Sequence, residues 1–134
     1  MKKGHSVVVC VHNALADVTA CIESLKLSSS GLLEIIVVDD GSDEPARLYI
    51  EDLAVRSKRN DVALGYTKAA NIGMRMARGS VVTLLNSDTI VPAEWSRKVM
   101  QAFADNPQFG ILGPLSNAAS YQSVPSISGT TGQT

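Results

Sequence analysis

No apolar run in this 134-residue chain approaches the roughly 20 residues that a membrane-spanning helix needs. Met1-Lys2-Lys3-Gly4-His5 leads straight into a strand-like pattern, without the apolar core or cleavage site of a signal peptide. The expected location is therefore cytoplasmic, with any longer parent peripheral to the inner face of the membrane. Cysteine is scarce. Cys10 and Cys21 show no CxxC spacing and have no nearby partner histidines, so they read as reduced core thiols and not as a metal or redox site. Net charge is scarce too: at -1, bulk electrostatics give nucleic acid nothing to bind, and an anionic ligand needs a local basic patch. From Asn106 to Thr134 charge is missing altogether, while Ser, Thr, Gly and Pro dominate from Pro114 onward. Disordered tails usually carry charge, so this segment is expected to be a loop deprived of what it packs against, and the chain a fragment of something longer.

What is present is a core's worth of apolar residues, 45% of the chain. Ser6 to Val11 and Leu32 to Val38 are continuous β-branched runs, the pattern of parallel strands buried on both faces. Val81, Val82, Leu84 and Leu85 predict a third strand of that kind. Val55 to Asn60 is short and polar, a weak edge strand at most, and Phe109 to Leu112 reads as a last short strand. Between them, Val18, Cys21, Ile22 and Leu25 follow helical spacing from near Asp17. Ser42 is placed to cap a helix whose first turn holds Asp43, Glu44 and Pro45. Further helices are expected after Gly65, closed by Gly79, and around Trp95, Val99, Ala102 and Phe103. Strand, helix and strand alternate, which predicts an α/β domain with a mostly parallel sheet and helices on both faces.

Three of those strands end in polar groups: His12-Asn13, Asp39-Asp40-Gly41-Ser42 and Asn86-Ser87-Asp88. In a parallel sheet the carboxyl ends share one edge, so these groups converge on one cleft. Carboxylates alone repel a phosphate. An anionic ligand there calls for Mg²⁺ or Mn²⁺ on Asp88, or for a basic counterweight such as the Lys68, Arg75 and Arg78 stripe. Each piece also has a plain structural reading, as a turn, a helix cap or a solvated helix face.

Together and in order, Val-Cys-Val-His-Asn, Ile-Ile-Val-Val-Asp-Asp-Gly-Ser, Asn60, Leu64-Gly65-Tyr66, Ala70-Asn71-Ile72-Gly73 and Leu-Leu-Asn-Ser-Asp-Thr resemble the family 2 glycosyltransferases of the GT-A fold, over about Ser6 to Pro125. The resemblance implies a three-layer, Rossmann-like nucleotide-diphospho-sugar transferase fold, truncated here. Residues 1–115 would form the nucleotide-sugar-binding half-domain, and 116–134 an uncharged tail. It implies that His12 and Asn13 meet the nucleotide, that Asp40, with Asp39 beside it, hydrogen-bonds base or ribose, and that Gly65 and Asn71 lie near the sugar-nucleotide. Asn86, Ser87 and Asp88 stand where the family has its Asp-x-Asp motif, with Asp88 the ligand of Mn²⁺ or Mg²⁺.

The implied donor is a UDP-, GDP- or dTDP-sugar and the implied reaction an inverting transfer to a hydroxyl acceptor. Three departures stand out: Asn86 replaces an aspartate, Cys10 replaces a proline, and the family's catalytic base has no counterpart. Only Glu94 and Asp105 follow Asp88, and neither matches, so no catalytic residue is assigned. The alternative is a non-catalytic fragment that binds nucleotide or oligomerises, as a homodimer exchanging residues 106–134. A receiver-like signalling domain would need an acidic pair where His12-Asn13 stands and a lysine after Lys98.

Overall fold

The computed structural model describes residues 2–28 and 31–114. Its core begins with β1 (Lys2–Val11), whose Val7, Val8, Val9 and Val11 are all fully or almost fully buried. A strand with both faces apolar must lie inside a sheet covered on both sides. β1 does so, flanked by β2 (Leu32–Asp40) and β4 (Gly79–Asn86), while β3 (Arg56–Asn60) pairs outside β2. The order is β3-β2-β1-β4, and all three pairings are parallel.

Alternation assigns the two faces. Val7, Val9, Val11, Ile35 and Val37 pack with Val18, Cys21, Ile22 and Leu25 of α1 (Leu15–Leu27), Ile50 of α2 (Glu44–Asp52) and Trp95 of α4 (Trp95–Asp105). Val8, Ile36 and Val38 on the other side pack against α3 (Tyr66–Met76). Gly73 is what lets α3 lie so close. A Cβ there would come within 2.2 Å of Val8 Cγ1 and 3.2 Å of Val38 Cγ2.

The expected helices are present with shifted ends. α1 starts at Leu15, earlier than Asp17, and α3 ends at Met76, so Gly79 opens β4 instead of closing the helix. Ser42 does not cap α2. The N-cap is Asp43, and Ser42 Oγ is occupied elsewhere.

Two strand expectations need correction. β4 is not buried on both faces: it alternates along its length, and Val82 and Leu84 remain exposed, because α3, the helix on their face of the sheet, packs over β1 and β2. Phe109 to Leu112 forms no strand. The chain divides into two units, Met1–Ala104 and Asp105–Thr134, and in the second the Phe109 N–H closes a turn onto the Asn106 carbonyl at 2.9 Å. The expected boundary at 115 and the 116–134 tail lie outside the described residues.

Candidate functional site

Register brings the expected groups to one edge. Val11 pairs with Asp39, Cys10 with Asn86 and Asp40 with Asn60, so β1, β2 and β4 end side by side with β3 beyond them. The loops that follow are tied to each other. His12 Nδ1 lies 2.8 Å from the Asp40 carbonyl oxygen, which can only accept, so this bond needs the ring proton on Nδ1. The Asn13 backbone N–H donates to Ser42 Oγ at 2.8 Å, and Asn13 Oδ1 accepts from the Asp43 N–H at 2.7 Å. This pairing holds Asn13 and Ala14 in left-handed conformation, with φ of 60° and 56°, at a cost of roughly 1–2 kcal/mol each. A cavity of about 390 Å³ lies between the two loops, lined by Asn13, Ala14, Leu15, Asp43, Pro45 and Ala46.

Both aspartates of the β2 end are buried, and both are used by the protein. Asp39 accepts from the Ser42 N–H at 3.0 Å through Oδ1, and through Oδ2 it meets Arg59 Nη1 at 2.6 Å. Asp40 Oδ1 accepts from Asn60 Nδ2 (2.9 Å) and the Leu64 N–H (2.8 Å), and Oδ2 accepts from the Gly65 N–H (3.0 Å). Burial by itself would raise the Asp40 pKa. The donors on Leu64, Asn60 and Gly65, with His12 nearby, override it and hold the group below the ordinary aspartate value.

Asp40 is thus an anion that fixes the segment leading into α3. A carboxylate offers about four acceptor positions, and these three bonds leave one on Oδ2 unused. Gly41 makes the turn possible: its φ is 76°, and a Cβ would sit 2.7 Å from the Ala63 nitrogen.

Asn86, Ser87 and Asp88 occupy a turn after β4, closed by the Thr89 N–H on the Asn86 carbonyl at 3.1 Å. The Cys21 thiol reaches the same carbonyl from α1 at 3.8 Å; burial pushes that thiol up to about 11, so it stays protonated. Asp88 is exposed. No cluster of three His, Cys, Asp or Glu side chains surrounds it among the described residues. One free carboxylate does not make an all-protein cage. It does fit Mg²⁺ or Mn²⁺ taken up with ligand phosphates, since such ions are commonly held by one or two carboxylates, waters and phosphate oxygens.

The remaining expectations separate. Gly65 belongs to the edge through its bond to Asp40, whereas Asn71 lies on the exposed side of α3, outside this hydrogen-bonded set. Of the basic stripe, only Lys68 sits in the first turn of α3, beside the edge. Arg75 is in the last turn, and Arg78 is turned to Glu34 at the opposite end of the sheet. Sequence reasoning missed Ser42 and Arg59 as the groups that hold the two loops and Asp39. The signal for Arg59 was its place opposite Asp39 in the β2/β3 register.

It also missed Glu34, a buried carboxylate that accepts from Ser6 Oγ (2.9 Å), Arg56 Nη1 (2.8 Å), the Arg78 N–H (2.7 Å) and Arg78 Nε (3.2 Å). Burial works to raise its pKa, but those donors prevail and bring it down to about 2. This cluster joins β1, β2, β3 and the α3–β4 turn, far from the carboxyl ends.

Residues 6–118 match the family described as "Glycosyl transferase family 2". Among curated proteins, an uncharacterized glycosyltransferase of Haemophilus influenzae is 32% identical over 80% of this chain and 37% of its own length. Glycosyltransferase GlyG of Streptococcus pneumoniae is 27% identical over 84% of this chain and 39% of its own. The chain therefore spans little more than a third of the relatives it matches. Among solved structures, S. aureus TarS 1-349 superposes with a TM-score of 0.73 at 23% identity, over 92% of this chain and 38% of that one, and complexes of TarS with UDP and UDP-GlcNAc superpose equally well.

Proposed function

The chain belongs to glycosyl transferase family 2, and on that premise we propose that it is the donor-binding part of a transferase that moves a sugar from a nucleoside diphosphate onto a hydroxyl acceptor, with inversion. The observation that carries this reading is the shared edge: His12, Asn13, Asp40, Gly65 and Asn86 to Asp88 come from four separate segments and meet at the carboxyl ends of parallel strands. In this reading His12 and Asn13 border the nucleoside, and Asp40 accepts from base or ribose through its unused Oδ2 position while holding the segment before α3. Asp39 keeps its partner Arg59 oriented along the same wall.

Asp88 would hold Mn²⁺ or Mg²⁺ together with the donor diphosphate, with Asn86 and Ser87 as neutral neighbours. When bound, that ion neutralises the diphosphate and stabilises the charge that develops on the leaving nucleoside diphosphate. Acceptor deprotonation needs a base. Glu94 is bridged to Arg97 on α4 and is not at the edge, so that base is expected from residues beyond those described. TarS binds UDP and UDP-GlcNAc, which makes uridine nucleotides the first to test.

Calorimetric titration of UDP, GDP and dTDP with and without Mn²⁺ is the direct experiment. Metal-dependent binding, abolished by Asp88→Ala, is the expected result. Binding to none of the three in the presence of metal would refute the donor-site reading. A second reading, a nucleotide-binding chain without turnover of its own, predicts the same binding with no sugar transfer to any hydroxyl acceptor.

A further inference from the structure

The end of the sheet opposite the candidate site holds a second cavity, of about 410 Å³, a volume typical of small-molecule sites. Three cations line it: Lys26 of α1, Arg56 of β3 and Arg78 of the turn between α3 and β4. Glu34 is the one acid among its lining residues. The remaining wall is apolar, built from Leu32 and Ile35 of β2 and from Val55 just before β3.

Glu34 fixes the two guanidinium groups and keeps no acceptor position for a ligand. Its Oε1 accepts from Ser6 Oγ and the Arg78 N–H, and its Oε2 from Arg56 Nη1 and Arg78 Nε, which uses up the roughly four positions of a carboxylate. The arginines are not used up in return. Arg56 gives only Nη1, to Glu34 and to the Met76 carbonyl oxygen at 2.6 Å, and Arg78 gives Nε and Nη2 to Glu34. Among the described residues, Arg56 Nε and Nη2 and Arg78 Nη1 have no bonded partner, and the two side chains are 38% and 53% exposed. Lys26 is shared only with the exposed Glu23, at 3.6 Å. Two planar donor forks, oriented by a buried anion, therefore stand beside an apolar wall.

We infer that this cavity binds a small organic phosphate monoester. Three positive charges against one negative leave an excess that a dianion neutralises, and a phosphate monoester is close to a dianion at neutral pH. Guanidinium forks match pairs of phosphate oxygens, and the apolar wall takes the organic part of the ester out of water. Glu34 and Asp40 are six positions apart on β2, which at strand rise is roughly 20 Å. The inference is thus separate from the donor-site reading and does not depend on it.

The test is titration of the full chain with phenyl phosphate in the absence of metal, followed by calorimetry and by amide shifts of ¹⁵N-labelled protein. Shifts are expected at Glu34, Ile35, Val55, Arg56 and Arg78, with tighter binding than for inorganic phosphate. The double variant Lys26→Ala, Arg78→Ala should bind roughly 10-fold more weakly or worse. It keeps the backbone bond from residue 78 to Glu34, and its urea midpoint checks the fold. Lys26→Ala alone, which disturbs only the contact with Glu23, should still weaken binding severalfold. Lys68→Ala, at the other end of the sheet, should bind like the wild type.

Absence of phenyl phosphate binding at millimolar concentration would overturn the inference, as would binding undiminished in the double variant. So would shifts centred on residues 39–42 and 86–89, which would place the anion at the carboxyl ends of the strands. Equal affinity for inorganic phosphate would overturn the assignment of an organic ester.

Discussion

Asp40 joins three segments through one carboxylate, so its substitution should separate two effects. Asp40→Ala leaves Asn60 Nδ2 and the N–H groups of Leu64 and Gly65 without their acceptor. A loss of about 3 kcal/mol in urea unfolding is expected, together with loss of nucleotide binding. Asp88→Ala should by contrast unfold like the wild type, because Asp88 is exposed, and should change binding alone.

His5 gives a pH signature. It is fully buried between Ser96 Oγ on Nδ1 (2.8 Å) and Thr83 Oγ1 on Nε2 (2.6 Å), with its ring 5.1 Å from that of Trp95. Burial lowers its pKa from 6.5 to about 4, so the fold prefers the neutral ring. The unfolded chain therefore binds a proton first as pH falls. Stability contributed by neutral His5 is complete above about 6.5 and is lost progressively down to about 4, by up to roughly 3 kcal/mol. Glu34 acts in a lower window, between its ordinary 4.5 and about 2, where protonation gives up the bonds to Arg56, Arg78 and Ser6. Urea midpoints measured from pH 7 to pH 4.5 should fall in the wild type and stay nearly flat in a His5→Gln variant that folds.

Helix and strand positions differ in how far neighbours constrain them. At Gly73 the Val8 methyl leaves no room, so Gly73→Ala should cost about 1–3 kcal/mol through displacement of α3, despite the better helix propensity of alanine. Between strands the contrast is between centre and edge. Ile36→Ala in β2 should cost about 2–5 kcal/mol, since Ile36 is fully buried. Leu84→Ala in β4 should cost well under half of that, because Leu84 is 40% exposed. Chemical denaturation of the two variants in parallel checks the ranking.

These elements also show what the sequence could express. β1 and β2 were legible because both their faces are covered, which writes an unbroken apolar run. β4 carries nearly the same run, yet α3 packs over β1 and β2 and leaves Val82 and Leu84 exposed, and no local pattern says which strands a helix covers. Asp40 was legible as a polar strand end. Its bonds to Asn60, Leu64 and Gly65 were not, because they join residues 20 or more positions apart. Ser42 looked like a cap because Asp-Gly-Ser before acids and proline is a local signal, and the competing partner, the Asn13 N–H, comes from a different loop.

Across the whole molecule, parallel order and register do the work of assembling the site. The pieces around His12, Asp40, Gly65 and Asp88 are spread over about two-thirds of the described sequence, and they meet because β1 lies between β2 and β4. The same order sends Glu34, Arg56 and Arg78 to the opposite end, where they staple the strands and meet no ligand-edge group. The chain covers 37% of its H. influenzae relative, and the acceptor side of the reaction is proposed to lie in what such relatives have in addition.

Donor diphosphate and metal are proposed to bind together at the carboxyl ends of the strands. Nuclear magnetic resonance of ¹⁵N-labelled protein with UDP and substoichiometric Mn²⁺ tests it most directly, since the paramagnetic ion broadens nearby amides. Broadening is expected at residues 10–13, 39–42, 63–66 and 86–89, dependent on UDP and absent in Asp88→Ala, with Glu34, Arg56 and Arg78 unaffected. Broadening centred on those three residues, or no UDP-dependent broadening at the strand ends, would contradict it.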